Sequence, residues 1–457
     1  MNSISRTMAK FALDLSYDRV PQAAVHEAKR FLLDSVGCAL AALDHDDMQQ
    51  AHRYVRELGG NPQATIIGYG TRTNIADAAL MNALLIRAMD YNDIYWKQDP
   101  SHPSDIIPAA LAPAEWKGRS GKELLVGILI AYELEMRLCL AAQPGVREVG
   151  WHHASLTQFV SPFVAGRMLG LTEDQLVAAC GISGSSHFTL GGVVAGHLTN
   201  MKNTADPMAT EAGVRAALLA STGYSGPVEL FEGKEGVFHV VGNVRWDAGA
   251  MTDGLGERFL ITECGYKAFP TEALTHQPIT ALLGIMAEGR IDPRSVAEIA
   301  VRTTTRGADI LSDASKYDPQ TKETADHSLP YCIAVAAANG NVLPSDFEQE
   351  ALFDPFVRSF LAKIKVVADP EIDALFPKVK RAIVTVTTLA GGVHTRQEDF
   401  AKGSPERPLS DDDVVDKFRA NASHAMSAKA IDRVVDATFR LDSFETTGEY
   451  VRCLVRA

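Results

Sequence analysis

The sequence is poor in the features that mark metal-clustered, secreted or nucleotide-binding chains. Its six cysteines, Cys38, Cys139, Cys180, Cys264, Cys332 and Cys453, form no CxxC pair or tight triplet, which argues against a zinc knuckle or an iron–sulfur cluster. Most sit in apolar helical contexts such as Asp34-Ser-Val-Gly-Cys38, so reduced core thiols and a cytoplasmic setting are expected. No strand feeds a GxGxxG turn and no GxxxxGK[ST] occurs, so no nucleotide cofactor is expected. Gly191-Gly-Val-Val-Ala-Gly196 has the wrong spacing for one and is read as a close-packed turn. Positive charge is scarce: 44 Lys and Arg face 57 Asp and Glu, a formal net charge of -13, which excludes a long basic face for nucleic acid. The longest apolar run, Leu124 to Tyr132, is broken by Glu133, Glu135 and Arg137 and is too short for a bilayer. Met1 to Leu15 alternates polar and apolar residues, so neither a secretory leader nor a membrane partner is expected.

What is present is the composition of a packed globular protein: 46% hydrophobic and 22% charged over 457 residues, enough for two or three compact units. Ala- and Leu-rich helical periodicity predicts helices at Pro21–Leu43, Asn74–Asp90, Gly121–Ala142, His153–Gly170, Thr172–Gly184 and Asp206–Thr222, with Thr172 and Gln175 as a capping box. After about Glu263 the texture changes. Ala297–Thr304 and Ala382–Thr388 are β-branched and alternating, and Gly391-Gly392 leads into Val393–Arg396, which reads as strands and a hairpin around a helix at His327–Asn339. From Ser410 the pattern is helical again, through Val414–Phe439. The expected fold class is mainly α: a helical domain from residues 1–263 and 409–457, with a smaller α+β unit at 264–408.

The densest polar stretch follows an apolar helix: Arg87-Ala-Met-Asp90-Tyr-Asn92-Asp93, then Asp99-Pro-Ser-His102-Pro-Ser104-Asp105. A helix end running into a proline-flanked loop presents side chains well, although Ser104 and Asp105 read more simply as caps of a helix starting at Ile106. Further candidates are His152-His153 at a helix start, Lys202, Lys267 in Lys267-Ala-Phe-Pro270-Thr-Glu272, and Tyr331 in Asp326-His327-Ser-Leu-Pro-Tyr331. In an acidic protein that takes an anionic substrate, cations must be focused in a cleft, so such lysines are informative.

These segments, in order and with the terminal-region Asp416-Lys-Phe418, resemble the MmgE/PrpD family, which contains 2-methylcitrate dehydratase, cis-aconitate decarboxylase and iminodisuccinate epimerase. The resemblance spans nearly the whole chain. It implies a helical domain facing an α+β lid across an active-site cleft, a small polycarboxylate substrate, no cofactor or metal, and a homodimer. Asp90, His102, one of His152 and His153, Lys202, Lys267 and Tyr331 would line the cleft. Dehydration requires proton abstraction α to a carboxylate, stabilisation of the resulting charge and protonation of the departing hydroxyl. His102, the histidine pair and Asp90 would serve proton transfer and orientation, Tyr331 would donate to the oxyanion or leaving group, and Lys202, Lys267 and Arg87 would hold carboxylates. The twelve-residue step from Asp90 to His102 resembles the dehydratase branch, while Ile94-Tyr-Trp-Lys-Gln and the run after His102 depart from it. Three rivals stand beside this reading: decarboxylation or epimerisation in the same pocket, a metal site from Asp90, Asp93, His102 and Asp105, and a non-enzymatic helical scaffold.

Overall fold

Short polar signals place the helix starts. Asn74 accepts from the Ala76 and Asp77 amides, and Ser120–Glu123, Thr172–Gln175 and Ser410–Asp413 form reciprocal capping boxes. In the computed structural model, which describes residues 3–195 and 198–456, these open helices Ile75–Arg87, Gly121–Ala141, Glu173–Gly184 and Asp411–Ala422. With Gln22–Ala41, Ile107–Lys117, Ala154–Leu169 and Met201–Ser221 they build a mainly helical molecule. None of the helices among the described residues is long and apolar enough to cross a membrane.

The sheet content is small. One four-stranded sheet runs in the order Val393–Glu398, Ala382–Thr388, Val296–Thr303, Ile364–Ala368. The predicted hairpin pairs Val393 with Thr387, Ala382–Thr388 is also antiparallel to Val296–Thr303, and Ile364–Ala368 joins parallel at the edge. Helices His276–Glu288 and Leu329–Asn339 pack with it, and Pro355–Leu361 packs on Leu329–Asn339.

Buried apolar side chains form two clusters. One gathers residues from Met8 to Tyr266 and again from Leu409 to Leu454; the other gathers Trp96 and residues from Phe269 to Val386. The C-terminal helices rejoin the first cluster, where the Lys417 ammonium meets buried Asp34 at 2.7 Å.

Several sequence expectations change. The segment read as starting at Asp206 is helical from Met201, with Pro207 inside it, so Lys202 stands on the first turn. Lys202 and Asp206, four residues apart, therefore share a face. The helix expected from Ile106 runs Ile107–Lys117, with Pro113 inside it. Val414–Phe439 is two helices, broken before the Ser427 cap. Gly191–Val194 forms a 3-10 turn whose first amide donates to the Gly150 carbonyl, and the Gly196 end of that motif lies outside the described residues. All six cysteines are free thiols.

Candidate active site

The helix Ile75–Arg87 is buried along its whole length and ends at a charged residue. Three residues further on, Asp90 adopts a left-handed backbone (φ 47°), a conformation that aspartate tolerates better than most side chains. This bend turns its carboxylate into a cluster of cations. One oxygen accepts from Lys267 Nζ at 2.7 Å and from Arg87; the other lies 3.5 Å from Lys202 Nζ. Lys202 also donates to Asp326 at 2.9 Å, and His327 Nδ1 lies 2.8 Å from the same Asp326 oxygen and 3.9 Å from Asp90. Burial opposes the charge on Asp90, yet Lys202, Lys267 and Arg87 together hold its carboxyl well below the usual range.

Three histidines face this cluster from other segments. His102 Nδ1 lies 2.6 Å from the Asp93 carbonyl, which can only accept, so Nδ1 carries the hydrogen and the Nε2 lone pair is left free. Burial, with Arg87 and Lys267 nearby, pushes His102 well below the usual histidine range and keeps it neutral. His152 has the opposite tautomer: its Nδ1 accepts the Ala154 amide at 3.2 Å, so its hydrogen sits on Nε2. His153 Nε2 is 3.2 Å from buried Asp206, and its ring centroid lies 3.9 Å from that of His152 and 5.4 Å from that of His102. Burial lowers both members of the pair, but Asp206 opposes this most directly at His153.

Ser104 and Asp105 are not the helix caps expected. Asp93 accepts from Ser104 Oγ at 2.6 Å and from its amide at 3.1 Å, while the Asn92 amide donates to Ser104 Oγ at 2.9 Å and to Asp105 at 3.0 Å. Ser104 and Asp105 are fully buried and hold the loop that aims His102, and helix Ile107–Lys117 has no side-chain cap.

These groups surround a hollow of about 610 Å³ including its solvent-open mouth. Arg87, Asp90, His102, His152, His153, Lys202 and Lys267 all line it. Tyr331 does not. Its ring packs against Phe347 in the second cluster, and its hydroxyl donates toward the Asp346 and Ala351 carbonyls at 2.8 and 3.3 Å; His327 of the same motif reaches the hollow instead. The sequence reading also passed over Asp206, Arg147 and Arg306. Asp206 was legible as the i+4 partner of Lys202, whereas the two arginines carried no local signal. Five cationic side chains, Arg87, Arg147, Lys202, Lys267 and Arg306, and two carboxylates, Asp90 and Glu272, line the hollow, so an acidic protein presents a cationic interior there.

The rival metal set of Asp90, Asp93, His102 and Asp105 is not brought together. Among the described residues, donor atoms converge within 4.8 Å in two trios, His152–His153–Asp206 and Asp90–Asp326–His327. Lysine ammoniums already occupy the cation positions around the second, and in the first His153 and Asp206 face each other.

The chain matches two family models, the MmgE/PrpD N-terminal domain over residues 6–247 and the MmgE/PrpD C-terminal domain over residues 269–441. It is 25% identical to 2-methylcitrate dehydratase of Escherichia coli K12, covering 93% of this chain and 91% of the relative. It is 26% identical to the 2-methylcitrate dehydratase of Cupriavidus necator, over 91% of this chain and 89% of that one. Human cis-aconitate decarboxylase is 24% identical over 97% of this chain and 93% of its own length. With one model spanning more than half of the sequence and the second most of the remainder, the chain belongs to the MmgE/PrpD family.

Proposed function

We propose that this protein is a cofactor-independent lyase that removes water from 2-methylcitrate or a similar 3-hydroxy tricarboxylate, in a cleft between a helical domain (1–263 and 409–457) and an α+β lid (264–408). The observation that carries this reading is the placing of two histidines on one cationic hollow: His102 offers a free Nε2 lone pair, while His153 lies 3.2 Å from the Asp206 carboxylate, which offsets part of the cost that burial puts on its charged form. His102 takes the proton α to a substrate carboxylate. The C–H electron pair becomes the new double bond as the C–O bond breaks, and the hydroxyl leaves as water with the proton of His153. Asp206, 3.2 Å away, opposes the effect of burial on that proton. Lys202, Lys267 and Arg87, gathered around Asp90, take up the charge that develops on the substrate carboxylate. Tyr331, bonded elsewhere, has no part.

The test is to incubate the protein with 2-methylcitrate and follow ultraviolet absorbance of the unsaturated product, alongside CO₂ release from cis-aconitate. Absorbance gain without CO₂ is expected; CO₂ release from cis-aconitate with no product from 2-methylcitrate would replace dehydration by decarboxylation. His102→Ala is expected to lower kcat by roughly 10²- to 10⁴-fold, and turnover near that of the unaltered protein would remove the base assignment.

A further inference from the structure

The cations deep in the hollow are already engaged. Arg87, Lys202 and Lys267 share Asp90, Lys202 also binds Asp326, and Arg306 at the wall is paired with Glu148. Arg147 differs. It lines the same hollow, yet among the described residues its guanidinium has no ion-pair partner and makes no hydrogen bond. The nearby acids are committed elsewhere: Glu148 to Arg306, Asp99 to the Val146 amide at 2.7 Å, and Glu272 to the Leu274 amide at 2.6 Å.

The turn that carries Arg147 is held at both ends. Asp99 pins it at Val146, the Trp151 amide closes it on the Val146 carbonyl at 3.1 Å, and Gly150 takes a left-handed conformation (φ 94°). Gly145 packs so tightly that a Cβ there would come within 2.5 Å of Asp99 Oδ1. Glu148, one residue on, reaches Arg306, which in turn stacks over Trp96 at 5.8 Å. Two guanidiniums thus stand on one wall, one neutralised and one not. Their mutual repulsion adds to burial in making the charge on Arg147 costly without an anion.

We infer that Arg147 is the receptor for one specific carboxylate of the substrate, forming a subsite separate from the Asp90-centred cations and selecting tricarboxylates over dicarboxylates. A planar guanidinium on a fixed turn can take a carboxylate through two parallel hydrogen bonds, and pre-organisation keeps the ordering cost low. The inference rests on the polycarboxylate reading above, but its test uses binding and not turnover.

The experiment is a two-by-two binding cycle by calorimetry with the purified protein and Arg147→Ala, against citrate and citramalate, a hydroxy acid with one carboxylate fewer. Arg147→Ala is expected to weaken citrate roughly 10- to 100-fold and to leave citramalate unchanged, because the ligand lacks the group that Arg147 would hold. Arg147→Lys should recover part of the citrate affinity. Because Arg147 has no partner in the free protein, thermal unfolding without ligand should be the same for both variants and the parent. Equal losses for both ligands, or no loss for either, overturn the subsite. If citrate couples to Arg147 while 2-methylcitrate is left unconverted, the subsite stands and the dehydration reading falls.

Discussion

At the scale of single residues, Asp206 makes the sharpest case. It touches His153 at 3.2 Å, and its other oxygen accepts from Thr157 Oγ1 at 3.2 Å, so its position is fixed. Its negative charge raises the proton affinity of His153 against the effect of burial. Asp206→Asn removes that support, so His153 loses its proton at lower pH and the alkaline limb of kcat moves to lower pH. The expected cost is on the order of 10² in kcat with KM nearly unchanged; a drop in KM-limited rate alone, with the limb unmoved, would show that Asp206 only shapes the pocket. Residues placed by the local chain were picked out in advance: Asp90 follows a helix end and His102 lies in the proline-flanked loop beyond it, whereas the helix that carries Lys202 was read as starting only at Asp206. Tyr331 was misplaced because its partners, the Asp346 and Ala351 carbonyls, come from a later turn that no spacing announces. Arg147 stayed hidden for the converse reason, since an arginine without a partner leaves no pattern.

Among the elements, the pairing of helices Ala154–Leu169 and Met201–Ser221 sets the site, for the first follows His153 and the second begins beside Lys202. Gly213 lets them approach. A Cβ there would fall 2.0 Å from Ser161 Oγ and 2.7 Å from the Pro162 nitrogen, so Gly213→Ala must push the helices apart. Alanine gains up to ~1 kcal/mol in helix propensity, but the clash is expected to prevail, for a net loss of about 1–3 kcal/mol in denaturant unfolding together with a fall in kcat/KM. An unchanged midpoint would mean that the helices can slide without cost. Most helices announced themselves through caps and periodicity. An exception has a physical reason: the edge strand Ile364–Ala368, exposed along much of one side, lacks clean alternation.

Across the whole molecule, the apolar clusters divide between Tyr266 and Phe269, and the first resumes at Leu409. What the sequence did not disclose is how they are joined. Asp90 belongs to a segment of the first, while Lys267 and Asp326 lie on the stretch that forms the second, so the ionic knot beneath the hollow also fastens one cluster to the other. Emptying its centre would leave buried ammonium and guanidinium groups facing a void the size of a carboxyl group. Glycine suits the left-handed backbone at that position, which makes Asp90→Gly a vacancy rather than a distortion. Such a variant should melt at lower temperature in chloride-free buffer and regain much of the difference when millimolar formate is added, as the small acid settles where the side chain was. Should formate leave the melting temperature unmoved, the knot would not be what ties the clusters. Chemical rescue of this kind would make position 90 a port through which small external acids tune the stability of the assembled fold.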